Sequence, residues 1–129
     1  MYDLIDQLVS DLPATDRALL GATRAWVHQL TMAGAGTPRA ADVLGGGSDA
    51  FDAAMRALDQ GSTDTLVFER PCQARVSETE AVWLGIWRLV RADRLGTAQA
   101  SLAALADPSA ARAVTAAMVR ASVALRPAT

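Results

Sequence analysis

The chain has 129 residues, 51% of them hydrophobic and 20% charged, with a formal net charge of −2. That length fits a single domain over residues 1–129 with one hydrophobic core, and the composition excludes a disordered chain, a disulfide scaffold and a strongly basic nucleic-acid binder. Alanine supplies 28 residues and arginine all 12 cationic side chains, while lysine and asparagine are absent; this is the codon bias of a GC-rich bacterial genome, so the choice of arginine is no sign of phosphate recognition.

The apolar steps Leu4, Ile5, Leu8 and Leu12 predict a short helix over residues 3–11, ended by Pro13. Thr15 then reads as an N-cap, with Asp16 favourable to the helix N-terminus. Leu19, Leu20, Thr23, Trp26, Val27 and Leu30 form one stripe at helical spacing, and Gly34 is the stop. His28 falls opposite that stripe with Arg17, Gly21 and Arg24, on a face read as polar and exposed. Residues 34–48 form a glycine-rich connector in which Pro38 can open one turn of helix. A helix from Ser48 or Asp49 to about Gln60 turns Phe51, Ala54, Met55 and Leu58 inward, with Asp52 and Arg56 as an outward i,i+4 pair.

Thr65 to Glu69 is a short β-like run with no second strand to pair with, so residues 62–76 are expected to form an extended strap over the helices, the alternative being an edge that pairs with another subunit. Ser77 and Glu80 then make a capping box. The helix it opens is predicted to run to Leu95, stop at Gly96, and be apolar nearly all round, as befits a central helix or one between subunits. Thr97 is read as the cap of a shorter helix to Ala106, and Asp107-Pro108 as the start of a last helix to about Leu125. That helix carries two stripes, Val114, Met118, Ala121 and Leu125 on one side and Ala116, Val119 and Val123 almost opposite. The fold expected is therefore all-α, a compact bundle of four or five main helices with the strap across it.

The segment Arg70-Pro71-Cys72, followed by Val76-Ser77-Glu78-Thr79-Glu80-Ala81 and Trp83-Leu84, resembles part of a group of small uncharacterised alphaproteobacterial helical proteins. Those carry a Pro-Cys element shortly before a Ser/Thr-x-x-Glu-Ala-x-Leu-Leu helix start, often with several adjacent cysteines where this chain has Cys72 alone. The resemblance implies a helical fold and a bacterial origin, and no activity.

Two site candidates stand out. Trp83 and Trp87, one helical turn apart, are bordered by Arg88, Arg91 and Arg94. One reading is a pocket in which the indoles hold an apolar body and Arg88 or Arg91 pairs with its anionic group; the other is that the two tryptophans are core bulk beside a charged edge. Cys72, near Arg70 and Arg75, is the possible reactive thiol, set against an inert buried cysteine with His28 too far around its helix to activate it. One histidine, one cysteine and no Glu-x-x-His suggest no metal and no cofactor. No run of about 18 apolar residues exists, since Arg88 breaks the best candidate, residues 81–90. The expectation is a cytoplasmic, non-catalytic protein acting through protein–protein contacts, most simply as a homodimer using the faces of helices 78–95 and 109–125, with small-molecule binding at Trp83, Trp87 and Arg91 as the alternative and no nucleic acid or membrane as partner.

Overall fold

The computed structural model describes residues 4–63 and 66–125; Asp3 of the expected first helix, with Asp64 and Thr65 of the expected strap, lie outside it. Among the described residues the fold is all-α, with five packed helices: α1 Ala14–Ala33, α2 Ser48–Gly61, α3 Glu78–Arg91, α4 Leu95–Leu102 and α5 Pro108–Leu125. No helix among them is long and apolar enough to cross a membrane.

The expected N-terminal helix is replaced by an irregular segment ending in a 3-10 turn, Val9–Asp11. A helix this short is marginal by itself, and its amides find better partners across the chain: Asp6 N–H donates to Val76 O at 2.9 Å, Val9 N–H to Ala74 O at 2.8 Å, and Val76 N–H to Gln7 O at 2.9 Å. Leu4 and Leu12 are still buried, but Ile5 and Leu8 are at the surface.

Helix α1 begins at Ala14 behind Pro13, so Thr15 lies inside it and is not its cap, and it ends at Gly34 in the left-handed conformation with φ 81°, as the glycine stop predicts. Leu19, Leu20, Thr23 and Trp26 are buried, and Val27 and Leu30 half-buried. Between α1 and α2, Pro38–Gly47 forms 3-10 turns broken at Ala41 and at Gly45, whose φ is 60°. The connector packs on α1, α2 and α5, and its Gly47 is buried near Ala121 and Ala124 of α5.

The capping box that opens α3 is present, with Glu80 N–H donating to Ser77 Oγ at 3.2 Å and Ser77 N–H to the Glu80 carboxylate at 3.0 Å. The helix stops at Arg91, four residues before the expected end. Asp93 takes the left-handed conformation, φ 60°, and Arg94 N–H reaches Leu89 O at 2.9 Å while Asp93 N–H reaches Val90 O at 3.1 Å. This is a Schellman stop with aspartate where glycine usually sits. Helix α4 therefore starts at Leu95 without a side-chain cap, and Thr97 lies inside it. Helix α5 opens as expected: Ala110 N–H donates to Asp107 Oδ1 at 2.8 Å and Pro108 is the first helical residue.

Three cross-links set α1 against α3 in antiparallel register: Asp16 with Arg88, Thr23 with Trp83, and Arg24 with Glu80. Helix α2 lies along α5, and α4 contacts both α3 and α5. The result encloses α3, whose Ala81, Trp83, Leu84, Ile86, Trp87 and Val90 are all buried within the chain. The face of α3 expected for self-association is thus spent on the core. On α5 the first stripe is buried at Val114, Met118 and Ala121, while on the second Ala116 and Val123 are exposed and Val119 half-buried.

Candidate functional site

The site grows from an unexpected buried ion pair. Arg24, read from sequence as a surface residue, is buried and donates in a fork to Glu80, Nε to Oε2 and Nη2 to Oε1, both at 2.8 Å. Its remaining donors hold the strap: Nη1 to Gln73 O at 2.7 Å and Nη2 to Arg75 O at 2.9 Å. Glu80 accepts the strap's Glu69 N–H at 3.0 Å as well as Ser77 N–H. Burial by itself raises the Glu80 carboxyl; the hydrogen bonds from Arg24, Ser77 and Glu69, with the Arg24 charge, outweigh it and hold the group below its ordinary 4.5. One side-chain pair therefore pins residues 69–75 across α1 and α3.

So anchored, the strap runs without regular secondary structure from Leu66 to Arg70, with Leu66 and Phe68 half-buried and Val67 exposed. Phe68 stands edge-on to Trp83, ring centroids 6.3 Å apart. Between strap, α1 and α2 lies a groove of about 560 Å³. Val27 and Leu30 of α1 form one wall and Leu66 and Phe68 of the strap another, over Trp26, Met55 and Leu58; Asp59, Ser62 and Thr63 close one end.

The Trp26 ring is held from behind. Its Nε1–H donates to Asp52 Oδ1 at 2.8 Å, and Asp52 Oδ2 accepts from Arg56 Nε at 2.7 Å. Arg56 Nη2 in turn donates to Gly36 O at 2.8 Å. Gly36 packs so closely on the indole that a Cβ there would overlap the ring. The i,i+4 pair Asp52–Arg56 exists as expected, but Asp52 is buried rather than outward because it satisfies the Trp26 donor. A second, smaller groove of about 310 Å³ lies across Phe68, sharing Val27 and adding His28, Thr31, Arg70 and Pro71.

Of the two readings of the tryptophan pair, the structure has the core one and not the tryptophan–arginine pocket. Trp83 and Trp87 are fully buried and edge-to-face with each other at 6.0 Å. Arg88 and Arg91 turn outward to the buried carboxylate of Asp16, at 2.8 Å and 3.4 Å. The arginines share a surface depression with Pro13, Asp16 and Ala92, and neither indole lines it. On a helix buried along most of its circumference, the bulkiest apolar side chains fill the centre and cannot also face a ligand. Cys72 is exposed, not buried; His28, exposed as expected, lines the smaller groove, and Cys72 does not. Among the described residues no three His, Cys, Asp or Glu side chains converge to hold a metal ion.

Sequence reasoning passed over the larger groove, although its signals were present: a stripe on α1 extending to Val27 and Leu30, and alternation of Leu66 and Phe68 in a strand-like run without a partner strand. No protein-family model, curated protein or solved structure matches the chain.

Proposed function

We propose that this is a non-catalytic binding protein whose groove between α1, α2 and the strap takes an apolar ligand. The observation that carries the reading is the groove's construction: a volume of about 560 Å³, inside the range of small-molecule sites, with apolar side chains of α1, α2 and the strap along it and the polar side chains Asp59, Ser62 and Thr63 at one end. Its two aromatic walls are independently braced, Trp26 by Asp52 and Gly36 and Phe68 by Trp83, and a braced site loses less entropy on binding. The test is titration with Nile red, a neutral apolar probe. We expect saturable one-to-one binding, weakened about tenfold or more when Leu30→Trp fills the groove and removes apolar area from the contact. Binding unaffected by that variant, with its unfolding midpoint unchanged, would place the ligand elsewhere and overturn the reading.

A second reading, self-association as a homodimer, is favoured by the outer stripe of α5, where Val123 is 63% exposed beside exposed Ala116 and half-buried Val119. Scattered exposed apolar residues are ordinary, so the oligomeric state decides. Light scattering is expected to give a dimer that Val123→Arg converts to monomer; a wild-type monomer at every concentration rejects it.

A further inference from the structure

The charges around the groove say what kind of apolar ligand fits it. We propose, resting on the groove reading above, that the ligand is a hydrophobic organic cation, an amine or quaternary ammonium whose apolar body lies along Leu30, Leu66 and Phe68 and whose charge sits at Asp59. Among the described residues, Asp59 is the only ionisable one lining the groove. Among the described residues its carboxylate has no hydrogen bond or ion pair. It stands in the last turn of α2, which carries no basic side chain, where the helix dipole adds negative potential.

The neighbouring cations are committed elsewhere or absent from the groove. Arg56, on the same helix, is held by Asp52 and Gly36 O. Arg24 is held by Glu80 and two strap carbonyls. His28 and Arg70 line the smaller groove, on the far side of Phe68. The start of α5 adjoins Gly61, and its positive end is met by Asp107, which caps it. Ser62 and Thr63 add hydroxyl oxygens at the Asp59 end. The polarity is thus opposite to that of the arginine-bordered pocket that sequence offered as an alternative.

The experiment is calorimetric titration with three eight-carbon amphiphiles kept below their micelle concentrations: octyltrimethylammonium, octyl glucoside and octyl sulfate. We expect the cation to bind about fivefold more tightly than the neutral glucoside, from ion pairing at Asp59, and the sulfate most weakly. Asp59→Asn, a change at an exposed side chain, should bring the cation to the level of the glucoside and leave the glucoside unchanged. If all three bind alike and Asp59→Asn does nothing, the groove reading stands and the cation inference is overturned. Tightest binding by the sulfate also overturns it. If neither the amphiphiles nor Nile red binds, both readings fall together.

Discussion

Replacing Arg24 with alanine is expected to destabilise the fold by about 3–5 kcal/mol, because it leaves the Glu80 carboxylate buried with its cation removed. The same change frees the carbonyls of Gln73 and Arg75 and so unpins the strap. Urea unfolding measures the first effect. Limited trypsin digestion measures the second, since Arg75 precedes Val76 whereas Arg70 precedes Pro71 and resists cleavage; cleavage after Arg75 should accelerate in the variant. The double change Arg24→Met with Glu80→Gln removes both charges together, and partial recovery of stability is expected. If the double variant is no more stable than Arg24→Ala, the penalty comes from lost strap anchorage and not from an unpaired charge. The pH dependence follows from the lowered Glu80 carboxyl. A carboxyl held lower in the folded than in the unfolded chain contributes stability that is fully present above the unfolded value, near 4.5, and is lost as pH falls through the folded value. Below pH 4.5 wild-type stability should therefore drop more steeply than that of Glu80→Gln, and parallel profiles would contradict the assignment.

This pair also marks where sequence legibility ends. Helix starts with local chemistry were readable: the Ser77–Glu80 box, Asp107 before Pro108, and the Gly34 stop are each decided within a few residues, and each is present. The end of α3 was not, because aspartate at position 93 enters the left-handed region that glycine at 96 seemed to reserve. The Arg24–Glu80 contact spans 56 residues of chain, and no periodicity joins them. Placing Arg24 by its own helix's stripe put it on the polar side, yet that side is covered by a strap whose course no local signal predicts. The groove has the same origin. Its walls come from α1, α2 and the strap, so it exists only once the strap is anchored. The tryptophan pair drew attention in sequence because it is dense in a chain poor in aromatics, but density of that kind reports the centre of the bundle.

The largest loss in the core is expected from Trp87→Ala, about 3–5 kcal/mol. Trp87 stacks on Phe51 of α2 at 5.8 Å and meets Trp83 edge-on, so its removal opens a cavity between α2 and α3. Milder variants separate the two tryptophans by their donors. Trp83 Nε1–H donates to Thr23 Oγ1 at 3.0 Å, and the Thr23 hydroxyl donates in turn to Leu19 O at 2.8 Å. Trp87 Nε1–H is buried without a hydrogen-bond partner among the described residues. Phenylalanine at 83 sacrifices a made hydrogen bond, whereas at 87 it removes an unmet donor, which offsets part of the lost packing. Trp83→Phe should therefore cost more than Trp87→Phe by about 1–2 kcal/mol, read from urea midpoints. The reverse order would mean that the Trp87 donor is satisfied in solution. Binding adds a second readout, because Trp83 braces the groove wall at Phe68 while Trp87 braces Phe51. Nile red affinity should weaken in Trp83→Phe and hold in Trp87→Phe. Equal weakening in both would show that binding follows overall stability and not the position of the strap.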